Sequence, residues 1–113
     1  MIINTPADLV CVISEILPDF SEEWDNGEAF CYENGDFSFH SVFMTLGPVS
    51  FQLLSNVDVK VIKKFCKLVN RAVEQGGDLE NAISTCFLEH ASQIGVRKLI
   101  APYLSKETKR ELR

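Results

Sequence analysis

The stretch DVKVIKKFCKLVNRAVEQGG, residues 58–77, decides the fold class of this chain. Its apolar residues recur at the i, i+3, i+4 and i+7 spacing of one helical face, and basic residues occupy the other face. Asp58 is placed to cap the start of this helix, and Gly76-Gly77 to end it. The apolar face is Ile62, Phe65, Cys66, Val69, Ala72 and Val73, and the basic face is Lys60, Lys63, Lys64, Lys67 and Arg71. We therefore expect a mainly α protein.

Helical signals continue on the C-terminal side of this stretch. Asp78 is a candidate cap for a helix that ends at Gly95. Its apolar side would contain Leu79, Ile83, Cys86, Phe87, His90 and Ile94. Two short helical pieces are then expected, the first meeting Pro102 and the second opening at Ser105.

The N-terminal side gives one clear helix. Thr5-Pro6 is typical of an N-cap followed by proline in the first turn, and the apolar period from Leu9 to Ile16 predicts a helix that stops before Pro18. Residues 19–36 lack a period apart from one short turn at Ser21. Ser21-Glu22-Glu23 could start this one short turn.

Turn residues shape the expectation for the middle of the chain. Asn34-Gly35 lies between two short aromatic runs and predicts a short β-hairpin near residues 30–39. A helix is expected from His40 to Leu54, with a kink or break at Gly47-Pro48.

Length and composition indicate one compact domain over residues 1–113. A content of 46% hydrophobic and 24% charged residues is ordinary for a globular protein. We expect five or six helices with short connections, arranged as an irregular bundle or a short α-solenoid. The chain shows neither a signal peptide nor an apolar run long enough to span a membrane, so we expect a cytoplasmic protein without a membrane partner.

Charge is distributed very unevenly along the chain. Residues 1–59 contain ten carboxylates and no lysine or arginine, whereas residues 60–113 contain all eleven basic residues and six carboxylates. Crowded like charges cost stability, and a solvated surface normally mixes both signs. The acidic half therefore indicates a cationic partner, although acid-rich stretches are also common as solvated loops.

The acidic density peaks where aromatic residues are interleaved with the carboxylates. Tryptophan and tyrosine anchor protein interfaces, and carboxylates steer association. Trp24 lies among carboxylates, so we expect its ring to be substantially exposed as an anchor. The predicted partner-binding residues are Asp19, Glu22, Glu23, Trp24, Asp25, Glu28, Tyr32, Glu33 and Asp36.

Catalytic and metal sites have little support in the sequence. It contains no phosphate-binding loop, nucleophile elbow or HExxH motif. Cys86 and His90 would share a helical face at i, i+4, but a site needs further groups from Cys31, His40 or Cys66. Cys86 and His90 fall on the apolar side, so we expect core packing, buried free thiols, no metal or cofactor, and no enzymatic activity.

The basic face of residues 60–71 has two interpretations. Its like-charge pairs could contact phosphates, which would indicate nucleic-acid binding. The sequence pI of about 4.9 and the absence of interleaved aromatics favour internal pairing with the acidic half instead. We expect no direct nucleic-acid partner.

Three short segments carry a resemblance to a known group of proteins. They are His40 to Met44, Asn81 to His90, and Ile100 to Ser105. Over residues 37–112 the chain resembles small helical bacterial immunity proteins of contact-dependent inhibition and other polymorphic-toxin systems. The resemblance implies a helical fold and assigns no role to residues 19–36.

Together these features predict an immunity protein that neutralises a cognate toxin by stoichiometric binding through its acidic, aromatic-containing surface. A nuclease toxin fits best, because a cleft that holds phosphates is basic. The alternative is an acidic helical adaptor or nucleic-acid mimic that binds another basic protein. We expect a monomer or a weak homo-oligomer.

Overall fold

This computed structural model describes residues 2–26 and 35–113. That part of the chain contains seven α-helices and two short 3₁₀ helices. The prediction of a mainly α protein is confirmed, and the helix count exceeds the expected five or six. The α-helices are α1 (Pro6–Ile16), α2 (Asp19–Asn26), α3 (Phe39–Ser55), α4 (Val59–Gln75), α5 (Gly77–Cys86), α6 (Arg97–Ile100) and α7 (Lys106–Lys109). The 3₁₀ helices are Leu88–His90 and Ala101–Tyr103.

Helix α4 lies at the centre of the fold, as its apolar face predicts. The Asp58 side chain accepts hydrogen bonds from the backbone N–H groups of Lys60 and Val61, at 2.9 and 3.2 Å. Gly76 ends the helix with φ +74°, a conformation that glycine adopts without strain. The buried face packs against α1, α5, α6 and α7. The predicted bounds of this helix are confirmed.

Helix α5 ends earlier than the sequence predicts. Phe87 leaves helical geometry with φ −133° and ψ −64°, and its ring is fully buried. The ring centroids of Phe43 and Phe65 lie 6.4 and 5.8 Å from that of Phe87. Burial of this aromatic group between α3 and α4 stops the helix at Cys86, so the predicted continuation to Gly95 is wrong.

The start of α1 follows the expected capping chemistry. Thr5 accepts a hydrogen bond from the Asp8 backbone N–H at 3.1 Å, and the Asp8 carboxylate accepts one from Thr5 at 3.1 Å. The Gln75 side chain fixes the backbone of Ile3, two residues before this cap. It accepts a hydrogen bond from the Ile3 N–H and donates one to the Ile3 carbonyl. Ile3 is thereby fixed against the core.

The hairpin predicted near residues 30–39 is not formed in its described part. Ser38 caps α3, because its hydroxyl accepts from the Ser41 N–H while the Ser41 hydroxyl accepts from the Ser38 N–H. Phe39 is the first helical residue. This reciprocal capping favours a helix over a strand, because it satisfies the backbone N–H groups of Ser38 and Ser41 at the helix terminus. The other half of the predicted hairpin lies outside the described residues.

Helix α3 continues through Gly47-Pro48, where the sequence predicts a kink or break. Pro48 lacks the N–H that would bond one turn back, which costs helix stability. Packing on both sides of the proline outweighs this cost, because Leu46 and Leu54 are fully buried. The Ser50 hydroxyl adds a hydrogen bond to the Gly47 carbonyl at 2.7 Å.

The helices enclose one core and form a compact body. The Cα radius of gyration is 12.9 Å, close to the value of about 13 Å that is typical of a chain this long. Among the described helices, none has the length and apolar character required to cross a membrane.

Candidate functional site

Three carboxylates of α2 line a groove of about 250 Å³ against the C-terminal half of α3. Asp19, Glu22 and Glu23 stand at the i, i+3 and i+4 positions of one helical face, and all three are exposed. The opposite wall and floor come from Val49, Gln52, Leu53, Asn56 and Val57. We call this feature the acidic groove.

The other face of α2 explains why the carboxylates point outward. Phe20 is fully buried, and its N–H donates to the Leu17 carbonyl at 2.9 Å. Trp24 follows one turn later and packs against the core. Two aromatic residues at i, i+4 therefore fix the rotation of the helix. Asp19 and Glu22 also lie in its first turn, where negative charge stabilises the helix N-terminus.

Every residue that lines the acidic groove comes from the part of the chain without lysine or arginine. The groove therefore has no cation of its own to neutralise its carboxylates. Asn56 donates its amide N–H to the Gln52 carbonyl at 2.8 Å, which leaves its amide oxygen as an acceptor. Carboxylates above a partly apolar floor suit a lysine or arginine side chain, whose stem is apolar and whose head is charged.

Trp24 is not the exposed anchor that the sequence predicts. Its ring lies edge-on to Phe37, with centroids 4.8 Å apart, and 6.2 Å from Phe20. The side chain is half-buried. Aromatic packing of this geometry is stabilising, so Trp24 secures α2 and the segment before α3 to the core.

The remaining predicted binding residues are not brought into the groove. Asp25 is exposed on α2 but is not among the groove-lining residues, and Asp36 is exposed before α3. Glu28, Tyr32 and Glu33 lie outside the described residues, so their predicted role stays a prediction.

The α3 side of the groove was missed by the sequence reasoning. In the helix expected from His40 to Leu54, Val49 and Leu53 share the apolar face of Phe43 and Leu46. Val49 and Leu53 lie three and seven residues after the buried Leu46, and both are half-buried at the edge of its face, next to the exposed Gln52 and Asn56. The polar residues Gln52 and Asn56 beside this apolar edge were the available signal.

The basic face of α4 forms a separate groove of about 260 Å³. Lys64, Lys67 and Arg71 are exposed around Ile16 and Leu68. Lys63 takes another direction, with its Nζ 5.7 Å from the centre of the Tyr103 ring, a cation–π distance. We call this feature the basic groove.

Cys86 and His90 do not form the helical i, i+4 pair that the sequence suggests, because α5 ends between them. The thiol instead meets His40, with Sγ 3.2 Å from Nδ1. His90 Nδ1 lies 3.0 Å from the Gln93 amide oxygen. The neighbour of Cys86 is therefore 46 positions away in the sequence, and the predicted core packing is wrong for His90, whose side chain is exposed.

The cysteines differ in their surroundings more than the sequence suggests. Cys66 is buried, which raises the pKa of its thiol to about 12. Cys11 is exposed and Cys86 is half-buried, and all three are free thiols. The expectation of buried thiols thus holds for Cys66 and is wrong for Cys11. Cys31 lies outside the described residues.

No group of three or more histidine, cysteine or carboxylate side chains converges as a metal site within residues 2–26 and 35–113. Thiol, imidazole and carboxylate ligands are the usual donors for zinc, which takes four in structural sites. The prediction that the chain binds no metal or cofactor stays a prediction.

Comparison with known proteins places the chain in a family. No match was found among curated proteins or among solved structures. The family described as "Domain of unknown function (DUF7674)" matches residues 11–113, which include the acidic groove and nearly all of the fold. The chain therefore belongs to the DUF7674 family.

Proposed function

We propose that this chain is an immunity protein that neutralises a cognate toxin by stoichiometric binding. The observation that carries the proposal is the acidic groove, in which Asp19, Glu22 and Glu23 face solvent and no lining residue is basic. Surfaces of one charge sign speed and select the approach of an oppositely charged partner. The partner surface is therefore basic.

A nuclease is the toxin class that suits this groove. Its cleft must hold phosphates, so it presents arginine and lysine side chains. One such side chain in the acidic groove would place its stem against Leu53 and Val57 and its charged head beside the α2 carboxylates. Blocking the cleft in this way needs no chemistry from the immunity protein, which we propose acts in the cytoplasm.

Rapid association is what the charge arrangement supplies. An inhibitor that protects its own cell has to capture the toxin at low concentration. Electrostatic steering raises association rate constants to about 10⁸–10⁹ M⁻¹s⁻¹ at low salt, from roughly 10⁵–10⁶ for an unsteered encounter. All residues that line the acidic groove come from residues 1–59, which contain no lysine or arginine. No cation among them weakens the attraction of the groove for a basic partner.

Growth rescue tests the proposal. The product of the neighbouring reading frame, as the candidate toxin, is expressed in a bacterial host together with the wild-type chain, the groove variant Glu22→Lys/Glu23→Lys, or the control Glu15→Lys/Glu74→Lys. The control makes the same change in net charge at exposed residues outside the acidic groove. We expect rescue by the wild type and the control, and loss of rescue by the groove variant.

Each other result has a definite meaning. Failure of the wild type to rescue would reject the immunity function. Rescue by all three proteins would reject the acidic groove as the binding surface and direct attention to the basic groove around Lys64, Lys67 and Arg71. Binding of the neighbouring protein without loss of its toxicity would favour the acidic adaptor instead.

A further inference from the structure

A thiol, an imidazole and a carboxamide line up where the start of α3 meets the end of α5. His40 is the second residue of α3, and Cys86 is the last residue of α5. Cys86 Sγ lies 3.2 Å from His40 Nδ1, and His40 Nε2 lies 3.5 Å from the Asn81 side-chain nitrogen. Cys86, His40 and Asn81 therefore lie in the spatial order of a nucleophile, a base and a group that orients the base.

The geometry suits removal of the thiol proton by His40. Nδ1 is the imidazole nitrogen that faces the sulfur, at a distance within reach of a hydrogen bond to sulfur. After proton transfer both ring nitrogens donate, Nδ1 to the thiolate and Nε2 to Asn81. A half-turn of the Asn81 amide presents its oxygen to Nε2, since the two amide atoms occupy equivalent positions.

The thiol is accessible from an uncharged groove of about 440 Å³. Its apolar lining comes from Met44, Gly47, Pro48 and Ile94, and its polar lining from Thr85, Cys86, His90 and Gln93. No lysine, arginine or carboxylate is among these residues. We call this feature the neutral groove. It favours a reactant without charge, because a charged one would lose hydration and gain no ion pair.

We propose that Cys86 is a nucleophilic thiol that undergoes thiol–disulfide exchange with a small uncharged disulfide admitted through the neutral groove. His40 Nδ1 takes the proton of the thiol, and the sulfur attacks the nearer sulfur of the disulfide. The disulfide bond breaks as the Cys86 mixed disulfide forms, and the departing thiolate takes the proton back from His40. One disulfide is consumed and one is formed, so no oxidant is needed.

The chain supplies its own reference thiols for this reaction. Cys11 is exposed on α1, and within the described residues neither His40 nor His90 hydrogen-bonds to it, so it reports the reactivity of an unassisted thiol. Cys66 is buried and its pKa is raised to about 12, so it should stay unmodified. Only thiolates attack disulfides at useful rates.

The test uses 2-hydroxyethyl disulfide on the Cys31→Ser protein at neutral pH, with each cysteine followed by peptide mass spectrometry. We expect Cys86 to react at least about tenfold faster than Cys11, as expected for a thiol paired with a base. His40→Ala should bring Cys86 to the Cys11 rate or below it. Equal rates for Cys86 and Cys11 in the parent protein would overturn the proposal.

Two further variants separate activation from simple exposure. Asn81→Ala should slow Cys86 less than His40→Ala does, because the amide acts only by orienting the ring. Thr45→Ala is the control, since it removes a hydroxyl from the same helix as His40, one that bonds the Ser41 carbonyl at 2.9 Å and does not line the neutral groove. An unchanged Cys86 rate in His40→Ala, with Cys11 as internal standard and the helical circular dichroism retained, would also overturn the proposal.

Discussion

Helix α3 contributes to two grooves that have opposite chemical character. On the α2 side it supplies Val49 and Leu53 beneath three carboxylates, and on the α5 side it supplies Met44 and Pro48 beside a thiol. The acidic groove can attract a cation but contains no nucleophile. The neutral groove contains the Cys86 thiol, with His40 beside that thiol, but no charged residue that would attract a partner. The proposed partner binding and the proposed thiol exchange therefore use separate surfaces, and variants should affect one without the other.

Trp24→Ala should have the largest effect on stability and should affect only the acidic side. The half-buried ring contacts Phe20 and Phe37, so its loss should lower the free energy of unfolding by about 2–4 kcal/mol, toward the lower end of large aromatic truncations. The change should also weaken toxin binding, because α2 loses its support. The rate of Cys86 exchange should not change.

Urea denaturation followed by circular dichroism measures the Trp24 effect. Phe51→Ala is the control, because Phe51 is 51% exposed and its truncation should cost less than about 1 kcal/mol. Equal destabilisation by the two variants would show that Trp24 does not secure α2.

Gly47→Ala should produce the reverse pattern. A Cβ at this position would lie 3.7 Å from the Cys86 carbonyl oxygen, which is an ordinary contact. Alanine in place of a glycine inside a helix should therefore raise the free energy of unfolding by roughly 0.5–1 kcal/mol. The added methyl group narrows the neutral groove, so Cys86 exchange should slow while toxin binding stays at the wild-type level. A free energy of unfolding below that of the wild type would show that the contact between α3 and α5 has no room for the added methyl group.

Glu111→Gln should give the smallest change in the free energy of unfolding. It measures how much stability is lost where several carboxylates lie close together. Desolvation raises the pKa of Glu111, and a neighbouring Glu80 adds to the rise, against a lowering hydrogen bond from Ser84. Because the folded state binds this proton more tightly than the unfolded state, wild-type stability falls as pH rises from the usual glutamate pKa through the raised one. Glutamine does not titrate, so the free energy of unfolding of Glu111→Gln should not show this decrease.

The expected gain of Glu111→Gln at pH 7 is under about 1 kcal/mol, since solvent screens a carboxylate that is not deeply buried. The gain should vanish below about pH 4, where both states hold the proton. Thermal unfolding of the two proteins across this pH range makes the measurement. A gain that persists at low pH would assign the effect to packing instead of charge.

The sequence predicts this fold best where the signals are local. The caps at Thr5 and Asp58, the glycine end at Gly76 and the apolar face of α4 all follow from neighbouring residues. The extent of α2, the end of α5 at Phe87 and the continuation of α3 through Pro48 depend on tertiary burial, which no local pattern records.

The sites divide in the same way. Asp19, Glu22 and Glu23 could be predicted because their charge and spacing are local. Their groove could not, because Leu53 and Val57 reach it only when α2 packs on α3. The Cys86–His40 pair joins residues 46 positions apart, and only the packing of α3 on α5 brings them together. The local i, i+4 relation favoured His90 instead.

The association rate of the toxin tests the central claim most directly. Stopped-flow measurements would compare the wild type, Glu22→Lys/Glu23→Lys and the charge-matched control Glu15→Lys/Glu74→Lys at low and at physiological salt. The acidic groove predicts that the groove variant associates at least about tenfold more slowly than the control at low salt, and that added salt narrows the difference. Equal rates for the two variants at both salt concentrations would contradict binding through the acidic groove.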